Sequence, residues 1–303
     1  MMSRKTCVGA IGFFALASVG HAADLQPVLK APAAVDQQAT GYVEVYTGWA
    51  RTTIDFYGEG SERFNGWALG GAGRGNYWLN SGMSVQVDAQ AEGTSYDDKN
   101  GGHSSTQSYL VGGHWSWRNP QQSLYGVFGG IGDASGTRHG VIGGEAQWYL
   151  NQFTLYAQVG YDTTLGTVDS FGTDSVNAWF VRGVGRYFVN PNFMIEGSVM
   201  YANGNIDFNC GGCSSVDFQT WTWGVKGEWR LATAPFSVFA KYQGSETKND
   251  DFETKVTDHR VLFGLKLHLG DRSLQQTDRA GATLDIVSPL ANPTSPLMFG
   301  PQN

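Results

Sequence analysis

The chain has 303 residues, with 20 Lys and Arg against 27 Asp and Glu, a formal net charge of −7, 42 glycines and 13% aromatic residues. The acidic balance argues against a nucleic-acid partner, and past the N-terminus no apolar run reaches the length of a transmembrane helix. The length suits one or two domains.

The first element is a leader. Arg4 and Lys5 precede the short apolar run Val8 to Val19, and Gly20-His21-Ala22 offers a small-residue cleavage site. This predicts a secretory signal peptide over 1–22. Cys7 precedes the apolar run, so it is not a lipoprotein cysteine. Without the leader, 18 basic residues face 27 acidic ones, a net −9. Residues 23–39, "ADLQPVLKAPAAVDQQA", read as a Pro/Ala-rich linker.

From residue 40 onward apolar and polar residues alternate with the period of a strand. Twelve strands are predicted, over 41–51, 64–78, 83–92, 107–118, 123–132, 139–150, 153–161, 176–189, 193–202, 218–230, 236–244 and 259–270. In "MSVQVDAQAE", Met83, Val85, Val87, Ala89 and Ala91 fall on one face, and Ser84, Gln86, Asp88, Gln90 and Glu92 on the other. The fifth strand is ambiguous, because its glycines hide the phase.

The connections sort into two kinds. Those after even-numbered strands are short: "LNSG", "NPQQ", "NQ", "NPN" and "LATAP". Those after odd-numbered strands are mostly long and polar, at 52–63, 93–106, 162–175, 203–217 and 245–258, with only 133–138 brief. Tight turns at one end and long loops at the other, with an even strand number, fit a single antiparallel up-and-down transmembrane β-barrel over 40–270.

Aromatics mark both ends of the apolar faces. Tyr77, Trp117, Trp148, Phe153, Tyr187, Phe193, Trp229 and Phe236 lie near the short turns; Trp49, Trp67, Tyr109, Tyr161, Tyr201, Trp221 and Tyr242 lie near the long loops. In the fourth, seventh, ninth and tenth strands the two marks stand eight residues apart. Tilted strands of that length span roughly 20 Å, near the height of an outer-membrane apolar band with its aromatic girdles. The apolar faces are therefore expected to meet lipid and the polar faces a wet lumen.

With these features the chain resembles the porin-like outer-membrane β-barrels of Gram-negative bacteria. The resemblance covers the leader, the "ADLQPVLKAPAA" start and residues 40–270. It implies outer-membrane location, contact with lipid and lipopolysaccharide, and insertion by a barrel-assembly machinery. That machinery reads a last strand such as "LFGLKLHLG", with Gly264, Leu267 and Leu269 in matching places; a terminal Phe is missing, and 33 residues, 271–303, follow the strand. This tail either hangs in the periplasm or folds back into the lumen.

The polar faces collect Glu44, Arg74, Asp88, Glu92, Arg118, Glu145, Arg182, Arg186, Glu196, Lys226, Glu228, Arg230, Lys241, Arg260 and Lys266, nine basic and six acidic residues, net +3. These are the candidate lumen- or pore-lining residues. Taking Pro191 as a hairpin centre sets Arg186 opposite Glu196, both inward, as a partly hydrated pair worth about 0–1 kcal/mol. Wall cations in a narrow lumen predict a weak anion preference. Twelve strands lie between the filled eight-stranded barrels and the open sixteen-stranded ones. Two functional readings follow: a narrow passive channel for small hydrophilic solutes, or a structural and surface-interaction barrel with an occluded lumen. A lipid-modifying enzyme ranks third, since the histidines 103, 114, 139, 259 and 268 form no sequence motif with Ser or acid.

The remaining motifs carry less chemistry. "GGAGRG" at 70–75 sits in a strand and opens no helix, so it lacks the mechanism of a nucleotide loop. "GGIGDASG" at 129–136 reads as a strand end running into a loop. Cys210 and Cys213, in a long loop of an exported chain, are expected to form a disulfide. No cofactor, metal or catalytic residue is expected.

Overall fold

The computed structural model describes residues 38–56, 60–97, 102–166, 173–208, 215–231, 233–249, 253–270 and 272–298. The expected leader, most of the 23–39 linker, and both Cys210 and Cys213 lie outside them.

Twelve strands form one closed antiparallel barrel: β1 (Ala39–Phe56), β2 (Gly60–Asn80), β3 (Met83–Asp97), β4 (His103–Asn119), β5 (Ser123–Ala134), β6 (Thr137–Leu150), β7 (Phe153–Thr164), β8 (Thr173–Asn190), β9 (Phe193–Phe208), β10 (Val216–Arg230), β11 (Phe236–Asn249) and β12 (Thr254–Leu269). Each strand pairs with its sequence neighbours, and β1 closes on β12 with Gly41 opposite Leu269 and Phe56 opposite Thr254. Closure leaves no unpaired edge, which a barrel in hydrocarbon requires.

All twelve predicted strands are present, but most extend further on the long-loop side. Thr52–Phe56 of β1, for example, pairs with residues 254–258 of β12. Above the apolar band the outer face of a strand turns polar as well, as at Arg51, Thr53 and Asp55, so the alternation that marks a strand fades while the backbone ladder continues. The brief connection at 133–138 is tighter than its composition suggested. Only Ser135 and Gly136 separate β5 from β6, both at positive φ (51° and 91°), the geometry that suits the twist of a two-residue hairpin.

The outer surface is apolar around the barrel. Leu69, Val87, Ile131, Ile142, Val159, Val225 and Phe263 are each more than half exposed. An aqueous protein does not leave so continuous an apolar surface bare; a lipid-facing band does. The expected girdle residues stand on this outer face and several meet across neighbouring strands: Trp49 opposite Trp67, Phe153 opposite Tyr187, Tyr201 opposite Trp221, and Phe193 opposite Trp229. Trp179 joins the loop-side girdle, its ring 5.5 Å from that of Tyr201. Tyr125 joins the turn-side girdle, 6.2 Å from Trp148. Tyr125 also fixes the phase of β5: Tyr125, Val127 and Ile131 face out, Leu124 and Phe128 face in.

The barrel is not hollow. Of the two places open to the C-terminal tail, it takes the lumen. Helix α1 (Leu274–Ala280) starts on a capping box made by Ser273 and Gln276, and its Gln275 N–H donates to Pro191 O at the short-turn end. From there the tail climbs through Leu284 and Ile286 to Leu297 and Met298, where Ser135 Oγ donates to Met298 Sδ at the long-loop end. The inner faces of β4 to β10 carry apolar clusters, set among polar residues, that receive it. Leu284 packs with Leu124, Tyr149, Tyr156 and Val184; Ile286 with Leu110, Phe128, Val141, Phe180 and Met200; Leu290, Leu297 and Met298 with Val176, Ile206 and Phe218. Burying each large apolar side chain contributes about 1.5–3 kcal/mol. The glycines of "GGIG" acquire a purpose here. A Cβ on Gly112, in the strand facing them, would fall 2.4 Å from Ile286 Cδ1 and 2.3 Å from Gly129 O, so only a bare backbone admits the tail.

Candidate functional site

With the tail seated against β4 to β10, the lumen keeps a charged side formed chiefly by β1, β2 and β10 to β12. It encloses a cavity of about 310 Å³. Tyr42, Glu44, Tyr46, Arg74, Glu92, Lys226, Glu228, Lys241 and Lys266 line it from the wall, and Asp278, Asp285, Ile286, Asn292 and Pro293 line it from the tail. Strand alternation dictates this lining: the even residues of β1, β2, β10 and β12 point inward, where the odd ones meet lipid.

The charges are paired in sequence-distant groups. At the short-turn side Glu228 holds Lys226 at 2.7 Å and Lys266 at 2.9 Å, accepts from Ser237 Oγ at 2.7 Å, and Glu44 lies 3.2 Å from Lys266. Lys266 also stands 4.2 Å over the Tyr42 ring. Midway, Arg74 meets Asp88 at 3.5 Å, Asp88 meets His114 at 3.3 Å, and His114 meets Glu145 at 2.8 Å, which accepts from Tyr156 at 2.7 Å. At the long-loop side Arg260 binds Glu92, Asp258 at 2.7 Å, and the Tyr96 hydroxyl at 3.0 Å. Tyr46 donates to Glu92 at 2.9 Å.

A further group ties wall to tail. Arg182 binds Asp285 at 2.9 Å, and Arg186 binds Glu196 at 2.8 Å and Asp278 at 2.7 Å. Wall donors also cap the tail's backbone: Trp78 Nε1 donates to Ala280 O at 2.8 Å, Arg118 to Gly281 O at 2.6 Å, Gln86 to Leu284 O at 2.8 Å, and Gln158 to Asp285 O at 2.7 Å. A buried irregular segment needs such partners for its carbonyls. Asn292 donates to Thr222 at 2.8 Å near the upper limit of the cavity.

The fifteen candidate lining residues thus all stand on the inner face. They do not act as one open ring. Glu145 is held by His114, Tyr156 and Gln158 away from the cavity, and Arg118 is taken up by the tail's Gly281 O; Arg230 lies at the barrel's short-turn rim, donating to Gly270 O. Glu44, Arg74, Glu92, Arg182, Arg186, Glu196, Lys226, Glu228, Lys241 and Lys266 surround the cavity. Sequence reasoning missed the tail's own contribution. Asp278 and Asp285 bring two carboxylates into the lumen, so the wall excess of +3 no longer stands alone and the charge count predicts no strong preference for anions. The signal for the tail was present: β8 places Phe180, Val184 and Phe188 inward between its arginines, large apolar side chains that a wall facing only water would not carry.

One cluster resembles a nucleophilic site on paper. His139 Nδ1 meets Asp162 at 2.9 Å, and Ser288 Oγ donates to the same carboxylate. The serine stands 3.4 Å from Nδ1, while Nε2 has no partner. A nucleophilic triad needs Asp on one imidazole nitrogen and Ser on the other; here both crowd one nitrogen, and the group serves to anchor the tail.

No family model matches the chain, and no curated protein matches it. Solved structures do match. An outer membrane channel from Pseudomonas putida F1 is 12% identical, with a TM-score of 0.59, over 81% of this chain and 100% of that one. A Pseudomonas aeruginosa FadL homologue is 10% identical at a TM-score of 0.42, over 78% and 91%. The KdgM porin is 8% identical at 0.39, over 74% and 99%. The first likeness identifies the fold, and the other two are too loose to bear an argument. The chain has the fold of the outer-membrane β-barrels, in a twelve-stranded form with its C-terminal tail inside.

Proposed function

We propose that this barrel is a narrow passive channel of the outer membrane for small hydrophilic solutes, whose passage follows the charged side of the lumen beside the tail. The observation that supports it is the 310 Å³ cavity lined by charged groups, where the opposite side of the lumen is filled by the tail. A barrel built only for rigidity has no use for buried charges, which cost free energy unless paired and hydrated. The rim residues meet lipopolysaccharide, the barrel-assembly machinery inserts the chain, and the barrel itself performs no covalent chemistry.

A second reading is an occluded structural barrel. The Arg260–Glu92–Asp258 group above the cavity and the Glu228–Lys266–Glu44 group below it favour that reading. Planar-bilayer recording on the full, folded protein separates the two. Small, discrete, ohmic steps are expected from the channel; an electrically silent folded barrel overturns it.

A further inference from the structure

One inner row of charges breaks its own pattern. Reading across the barrel at a single level, Arg186 stands opposite Glu196, Glu196 opposite Lys226, and Lys226 opposite Lys241, which faces Leu262. The order is plus, minus, plus, plus, neutral. Like charges set directly opposite one another across two strands are destabilising.

The pairing around the cavity sharpens the point. Each carboxylate on its lining has a cation within 4.0 Å: Glu44 has Lys266, Glu92 has Arg260, Glu196 and Asp278 share Arg186, Glu228 has Lys226 and Lys266, and Asp285 has Arg182. Arg74 has Asp88 at 3.5 Å. Among the described residues, Lys241 is the lining cation with no carboxylate that close. Glu92 and Glu196, which also line the cavity, are already engaged by arginines, and Lys226 stands directly opposite it. An ammonium in a partly dehydrated lumen is costly without a counter-charge. The cavity beside it is at the small end of ligand-pocket sizes, about 300–1,000 Å³, and Gln243 and Ser198 add neutral hydrogen-bonding groups to its lining.

We infer that the cavity holds a binding site for a small oxyanion, a carboxylate or a phosphate, centred on Lys241 and Lys226. The anion supplies the missing counter-charge in the row, bridging the two ammonium groups while Glu228 keeps its second cation, Lys266. It rests on the channel reading in that the site lies on the proposed passage, and it narrows the solute class to small acids. Weak binding suits such a waypoint, because a solute held too tightly would not leave.

The test measures binding apart from current. Saturation-transfer NMR on the full folded protein in detergent, with acetate as the probe and inorganic phosphate as competitor, is expected to give transfer to the acetate methyl that phosphate suppresses. Lys241→Gln is expected to reduce the transfer at least about threefold, and Lys241→Arg to retain it, with both variants checked for heat-modifiable mobility. Transfer that phosphate leaves untouched assigns the site to carboxylates alone. No transfer in the native protein, or equal transfer in a folded Lys241→Gln, overturns the site. A barrel that conducts but fails these tests loses the site and keeps the channel; one that binds acetate but is electrically silent keeps the site and loses the channel.

Discussion

Arg186 and Glu196 stand directly opposite each other across the β8–β9 hairpin, with Arg186 Nε 2.8 Å from Glu196 Oε2. The pairing about Pro191 was legible in the sequence; its setting was not. The second arm of Arg186 reaches the tail, binding Asp278 Oδ1 at 2.7 Å and Thr283 Oγ1 at 2.8 Å. The partly hydrated pair expected from the sequence is therefore a three-way clamp, with the Arg186 side chain 8% exposed, and it is worth more than a surface pair.

Arg186→Ala should accordingly destabilise the protein strongly. It strands Glu196 and Asp278 as buried carboxylates, a loss of about 3–5 kcal/mol. Denaturant unfolding in detergent checks the value. A loss within about 1 kcal/mol would mean that water already screens the clamp.

Leu284 is fully buried against Leu124, Tyr149, Tyr156 and Val184. Leu284→Ala should weaken tail docking by about 2–5 kcal/mol. Limited proteolysis reads this directly: the tail becomes cleavable while the barrel stays resistant. A tail equally protected in the variant would show that polar ties alone hold it.

The sequence disclosed the barrel because lipid and water enforce opposite chemistries on alternate residues, as Val87 and Asp88 illustrate. It failed where that contrast fails. In β5 glycines carry no polarity, and above the membrane the outer face turns polar too, with Arg51, Thr53 and Asp55 on β1. The tail stayed undecided because "ATLDIVSPLANP" has no strand or helix period; its fit depends on Gly112, Phe128 and Phe180, brought together only by closure. The lining residues of the cavity were legible by phase, but not which of them the tail would cover.

Orientation is a separate expectation. Loops over 93–106, 203–217 and 245–258 should be external, and the β4–β5 turn at Gln121 periplasmic. Epitope tags at the three loops should be labelled on intact cells and a tag at Gln121 should not. Inverse labelling would invert the topology.

Cys210 and Cys213 should form a disulfide in the exported chain, where the compartment is oxidising. Alkylation without reductant should leave the mass of the mature protein unchanged. Uptake of two alkyl groups would rule the bond out.

The proposed passage for solutes follows the charged side of the lumen and not the side the tail fills. Ala72 lines the cavity, and Val141 is buried in the cluster around Ile286. In a Cys210→Ser, Cys213→Ser background, Ala72→Cys and Val141→Cys are recorded as single channels while a charged thiosulfonate is added. A stepwise fall in current is expected at Ala72→Cys and none at Val141→Cys. A fall at Val141→Cys with none at Ala72→Cys would put the passage on the wrong side of the barrel and contradict it.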